Sequence, residues 1–493
     1  MHAFQKLLKN YRLDDLLLLI GTLGREMFNS NEAVRFIPAE MTKKTGTLLG
    51  IKQEKVRGSI TISAWGLIEI AYHAVLNTHD FAREAPNFDD LLEICNEYLD
   101  FENSQTGIVY QSDPSPKRLF LDLFGLAQKE FWFQQLHLIR EQFNRDVEML
   151  EHIPKVVKGD IDLDAIVKRI TGFSIHTFRK ILLSIFAMGA INSDISAMRV
   201  ETSIAAVDKN LTRENIIKVA ASYGCEYQDI RVSRLKHMFF YVKPIVHSTR
   251  NRYLIANQFL IAKKIADGIY WKLRDYYLTK NSNDNRAFTK YFGECFEEYV
   301  RRLFVRYLED GQYLRVPEDT EERADWIVYS KHYQLVVEQK STLMSLLTRD
   351  LHVELALYDE YFSKLKRGIS QLDKTAAAYS TAERTTIEIL LFYDHIFMAE
   401  NILKDQLISY LFPGENHRER LLFLVTISDF ELLMQILHED NDLFDTIIQE
   451  KIDLENSESA EGRDFDQVIR KHYEKNNAYI NVHLNHYEEY LNA

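Results

Sequence analysis

Residues 324–342 read ADWIVYSKHYQLVVEQKST. The half that opens at Asp325 and the half at residues 333–340 both carry the β-branched and aromatic residues that fill strands, and residues 330–332 between them suffice for a turn. Side chains two apart on a strand share a face, so Glu338 and Lys340 project together while Gln339 points away. The turn folds the first strand back beside the second and brings Asp325 into the neighbourhood of Glu338. Two carboxylates and an ammonium are therefore expected to converge on one sheet surface.

Around this stretch lies a chain of 493 residues, 46% of them hydrophobic and only 8 of them proline. Such a length and composition give two or three helix-rich globular domains rather than a disordered polymer. The three cysteines, Cys95, Cys225 and Cys295, are too few and too scattered for a disulfide framework or a cysteine-based zinc site, which points to a reducing cytoplasm. A net charge of −13 excludes a protein that holds nucleic acid by bulk charge, so any polyanion site must be a local patch. The longest apolar stretch, residues 181–191, falls short of the ~20 residues that span a bilayer. The apolar run at 16–20 follows two aspartates and precedes no small-residue cleavage site, so no signal peptide or membrane segment is expected.

Taken in order, residues 1–229 have mainly helical periodicity and read as a recognition or oligomerisation region. Within it, residues 60–76 read as an apolar helix, Asn87 and Asp89 as helix caps, and the aromatic stripe of Phe120, Phe124, Phe131 and Phe133 as core. Lys44-Thr45-Gly46 has no Ser-x-x-Lys nucleophile to accompany it and carries no acyl-enzyme chemistry. Residues 230–280 form a basic hairpin-plus-helix segment. From 230 to 264 there is no acidic residue at all, while Arg231, Arg234, Lys236, Lys243, Arg250 and Arg252 alternate with aromatics. That pattern suits a surface that tracks phosphates, or a small hairpin with solvated cations. The polar run 280–285 reads as a domain linker. Beyond it, strands and helices alternate to residue 438, with a helix at 343–380 expected to break near Gly368, which gives a mixed sheet flanked by helices. Residues 439–493 read as an acidic mobile segment followed by a helical tail.

Phosphodiester cleavage assisted by a divalent cation needs hard oxygen ligands and a nearby ammonium. Asp325, Glu338 and Lys340 supply that set, and Glu338-Gln-Lys340 is the sole Glu-x-Lys in the chain. These residues resemble the PD-(D/E)XK nuclease superfamily, the restriction-endonuclease-like fold. Gly293-Glu-Cys-Phe296-Glu297 looks like the family's first-helix pattern and points to Glu297. Asp325 matches the motif aspartate, although Trp326 follows it and no proline precedes it, and Gln371 lies where many members carry a glutamine or a basic residue. Thr375 stands where the Gln-x-x-x-Tyr variant has tyrosine. The resemblance covers roughly residues 287–438. It implies an α/β nuclease-like domain at 286–438 after the helical N-terminal region. It also implies Mg²⁺ (or Mn²⁺) held by Asp325, Glu338, the Gln339 backbone carbonyl and Glu297, with Lys340 acting on the attacking water.

The expectation is thus a metal-dependent DNA endonuclease of prokaryotic defence or restriction, acting as a homo-oligomer or with a partner protein. Two alternatives stay open: a catalytically silent nucleic-acid-binding scaffold subunit, and an RNA-cleaving nuclease of the same fold. Asp394 and His395, just after a strand, lack any ligand spacing that would give them a role.

Overall fold

A computed structural model of the chain describes residues 2–37, 59–78, 84–112, 116–134, 138–157, 159, 161–197, 208–279, 282–317, 322–345, 348, 355–393, 403–413, 420–457 and 464–492. Lys44-Thr45-Gly46, Asp394 and His395 lie outside these residues. The chain divides into two compact units: Met1–Leu119, Lys129–Ile139 and Asp164–Lys272 make the first, and Phe120–Gln128, Arg140–Leu163 and Leu273–Ala493 the second. The second unit takes over at Leu273, within helix Gln258–Leu278 and upstream of residues 280–285, and two stretches of the N-terminal half belong to it. Their aromatic and charged side chains are the reason, because they complete a core that begins far downstream.

The first unit is mostly helical. The expected helix at 60–76 opens instead as a strand, β2 (Ile60–Ser63), antiparallel to β1 (Val34–Ile37). Helix Ala64–Asn77 starts only where the Ser63 hydroxyl accepts from the Gly66 amide at 3.0 Å, a side-chain N-cap that satisfies an orphan donor. Asn87 caps helix Phe88–Ser112 as expected, accepting from the Asp89 and Asp90 amides. In the basic segment the hairpin is shorter than expected. β4 (Ile245–His247) pairs with β5 (Tyr253–Ile255) and with β3 (Gly224–Cys225), while Phe239–Val242 is helical.

The second unit is built on a five-stranded sheet in the order β10-β9-β8-β7-β6. Its strands are β6 (Tyr313–Arg315), β7 (Trp326–Tyr329), β8 (Tyr333–Lys340), β9 (Thr385–Phe392) and β10 (Leu422–Thr426). β6, β7 and β8 form an antiparallel meander, and β9 and β10 then add in parallel after helical crossovers. Parallel strands covered on both faces read as continuous apolar runs, which is why Ile387 and residues 389–392 of β9 are all buried. On one face Val336, Leu390, Phe392, Leu422 and Leu424 pack with Tyr358, Phe362, Leu365, Ile369 and Leu372 of helix Leu355–Tyr379, and with Phe120, Leu121 and Phe124. On the other, Phe304 of helix Ser282–Tyr307 meets Trp326 and Phe430 edge-on.

Three expectations in this unit are corrected. The run 280–285 is not an open linker, since helix Ser282–Tyr307 already begins inside it. Helix Leu355–Tyr379 passes through Gly368 unbroken. Two helices form within the acidic stretch after 439: Asn441–Asn456 is capped by Asp440 and buries Phe444, Ile447 and Ile448, and Phe465–His472 buries Phe465, Val468 and Ile469. Its apolar residues recur at helical spacing, and the acids that turn inward meet partners there, Asp445 the Ser330 hydroxyl and Glu455 the Lys404 and Lys451 ammoniums, so net charge concealed an amphipathic pattern. Among the described residues no single helix is long and apolar enough to cross a membrane.

Candidate functional site

β8 is the central strand of the sheet, buried from Tyr333 through Glu338 and opening only at Gln339 and Lys340. Alternation puts Glu338 and Lys340 on the face of Val336, the face covered by helix Leu355–Tyr379. Ile327 pairs with Val336 and Trp326 with Val337, so Asp325, two residues before Ile327, shares that face. Its carboxylate accepts from the Gln339 amide at 2.8 Å, which pins the start of β7 to the end of β8.

Glu338 is 3% exposed, and the Lys340 ammonium donates to its Oε1. Gln371 accepts at 3.5 Å from Lys340 through Oε1 and donates through Nε2 to the Arg323 carbonyl at 2.9 Å, so it braces the ammonium from the helix side. Gly368 explains how the helix comes so near. A Cβ there would lie 2.6 Å from Lys340 Cε and 2.9 Å from Leu390 Cδ1, so any larger residue would displace the lysine chain from its present path.

The electrostatics follow from crowding. Burial, then the neighbouring Asp325 charge, pushes the Glu338 carboxyl up to about 8, against the pull of Lys340. Burial also raises Asp325, opposed chiefly by the Gln339 amide and then by Lys340. Glu338 Oε2 is buried, and besides Lys340 the side chain that Glu338 meets is the Asp325 carboxyl. Beside a second carboxylate the ionised form of Glu338 is costly unless a proton or a cation compensates it, and hard oxygens of this kind suit Mg²⁺. Asp325 and Glu338 therefore fit a divalent cation by their donor chemistry.

Asp325, Glu338, Lys340 and Gln371 are thus brought together. Glu297 is placed in an ion pair with Arg315 at 2.6 Å, and that guanidinium is the smallest of the influences that oppose the upward shift of Asp325. Glu297 enters the neighbourhood through Arg315, the residue that sequence reasoning passed over. β6 is three residues long, too short for a periodic signal, and Arg315 acquires its meaning only from its pairing opposite Trp326. Gly293 is not a steric requirement, since a Cβ there would make ordinary contact with Ser341 Oγ at 3.5 Å.

The basic segment of the first unit is largely committed to internal partners. Arg231 donates to the Val75 carbonyl and Lys243 to the Ser222 carbonyl. Arg252 pairs with Asp194 at 2.7 Å, and Arg250 lies 3.9 Å from Asp14 and Asp15. Arg234 and Lys236 are exposed. The acids absent from 230–264 are supplied by helix Leu13–Asn29 and by Asp194, which a one-dimensional count of charge cannot see. No family model, curated protein or solved structure matches the chain.

Proposed function

We propose that the second unit is a Mg²⁺-dependent nuclease of the PD-(D/E)XK type that hydrolyses phosphodiester bonds in DNA. The observation that carries this reading is the placement of Asp325, Glu338 and Lys340 on one face where β7 and β8 meet. They sit within an antiparallel meander that continues into parallel β9 and β10. That strand order and that triad are the two halves of the resemblance read from residues 287–438, and they are independent, because a sheet can carry any side chains at that position.

Asp325 and Glu338, with the Gln339 carbonyl, would hold the ion, Mn²⁺ serving as well as Mg²⁺. Bound there, it supplies Lewis-acid stabilisation of phosphate charge and an acidified water. The protein's own contribution is positioning. Lys340 is held against Glu338, Gln371 and Gly368 fix the path of its chain, and the buried setting strengthens its attraction for a developing oxyanion. Arg315, with a side chain 51% exposed, is placed to meet a phosphate arriving from solvent. DNA is preferred over RNA on the resemblance, and Arg234 and Lys236 of the first unit are its exposed candidate contacts.

The test is incubation with plasmid DNA and with structured RNA in Mg²⁺ and in EDTA. DNA cleavage in Mg²⁺ alone is expected. Glu338→Ala and Lys340→Ala are each expected to lower the rate on the order of 10²- to 10³-fold, with the thermal midpoint retained. A double variant that cuts at the wild-type rate refutes the assignment. Salt-sensitive binding without cleavage of either polymer would favour the scaffold reading.

A further inference from the structure

A second cluster of ligand-type side chains lies elsewhere in the same unit. Helix Leu138–Val147 runs on into a π-helical turn, Glu148–His152. Such wide turns are rare and recur at functional sites. Here the turn sets Glu148 and His152 on one side, where His486 of helix His486–Asn492 meets them. One ligand atom from each of the three lies within 4.8 Å of the others. The His486 and His152 rings stack 4.6 Å apart at 14°, and His486 Nε2 stands 3.1 Å from Glu148 Oε2.

We propose that Glu148, His152 and His486 form a binding site for a divalent transition-metal ion of the zinc class. The Nε2 to Oε2 separation is the argument from size. Zinc bonds of about 2.0–2.2 Å to imidazole and carboxylate at tetrahedral angles put neighbouring donors roughly 3.3 Å apart. The ion would take the place of the proton between His486 and Glu148 with little movement of either, while His152, its ring now nearly parallel to that of His486, would turn to bring a nitrogen to it. Both are almost enclosed, at 7% and 3% exposure, while His152 is half-buried and leaves a side open for a water ligand.

The partners around the cluster are those a metal site uses. His486 Nδ1 lies 3.0 Å from Glu489 Oε2, the carboxylate–imidazole arrangement that orients a ligating histidine. The second oxygen of Glu148 accepts from Arg302 at 2.5 Å, which leaves Oε2 as the ligand atom. Two nitrogens and one oxygen favour zinc over Mg²⁺, so this site and the carboxylate pair at Asp325 and Glu338 take different ions. The ion would staple the C-terminal helix to the π-helical turn and, through Arg302, to helix Ser282–Tyr307.

The test uses the full chain, stripped with chelator and titrated with Co²⁺ and Zn²⁺ in excess Mg²⁺. About one equivalent is expected to bind, giving Co²⁺ the visible absorption of a four-coordinate site and releasing a proton. His152→Ala, which leaves the Glu148 to His486 contact in place, and His486→Gln should abolish that signal, while Glu489→Gln weakens binding roughly ten- to a hundredfold. Glu338→Ala should leave it unchanged. Absence of uptake by the wild-type chain, uptake that survives the His152→Ala and His486→Gln pair, or uptake lost in Glu338→Ala would each overturn the proposal.

Discussion

Glu338 has to be both buried and anionic if it is to hold a cation, and without a cation those conditions conflict. Its carboxyl sits at about 8, above the ordinary 4.5, so the folded, metal-free protein holds a proton there through the window between the two. The stabilisation that proton brings is complete below 4.5 and disappears as pH rises through 8. A divalent cation must displace it. Calorimetric Mg²⁺ affinity should therefore rise about tenfold per pH unit up to roughly 8 and level off above, and Glu338→Gln should remove the slope. An affinity independent of pH in the wild-type chain would contradict this account. Arg315 makes a complementary case, since its exposed pair with Glu297 contributes little to stability, within about 1 kcal/mol. Arg315→Ala should leave the melting curve nearly unchanged and tighten Mg²⁺ binding, because one cation beside Asp325 has gone. Weaker Mg²⁺ binding in that variant would assign Arg315 a structural part in the site.

Helix Leu355–Tyr379 runs without a break across an interior glycine. Glycine in a helix interior costs about 1 kcal/mol relative to alanine, and by propensity Gly368 looked like a break. The packing gives the opposite reading: the helix is continuous because the glycine lets it lie against β8 and β9 with the Lys340 chain passing between. Gly368→Ala should keep or slightly raise helix content by circular dichroism and yet lower cleavage, since Lys340 would be pushed from Glu338. Wild-type turnover in Gly368→Ala would sink that explanation. Strand β8 was legible from its β-branched and apolar residues and the turn before it, and it runs over the expected residues 333–340. β6 was not, because three residues carry no period and its pairing with β7 is a tertiary fact.

At the scale of the molecule, the second unit depends on chain that comes before the first unit is complete. Arg145 is fully enclosed, paired with Glu431 at 2.8 Å and bonded to Ser428, while Glu431 also receives Tyr299 and Asn477. A buried pair broken from one side leaves an uncompensated charge, so Arg145→Ala should cost about 3–5 kcal/mol in chemical denaturation. A fragment of residues 273–493 lacks Arg145 together with Phe120 and Phe124, and it should show no cooperative melt. A sharp transition from that fragment would separate the sheet-bearing core from its N-terminal segments. The sequence by itself determined the strand pair at 324–342, the shared face of Glu338 and Lys340, and the alternation that follows, because these depend on periods of two and of about 3.6 along the chain. Tertiary structure alone decided which distant groups complete them. Arg315 meets Glu297, Gly368 admits Lys340, Asp14, Asp15 and Asp194 face the basic segment, and His486 reaches the turn at Glu148. Each of these is a contact between residues far apart in the chain, and local pattern holds no information about what lies across a packed interface.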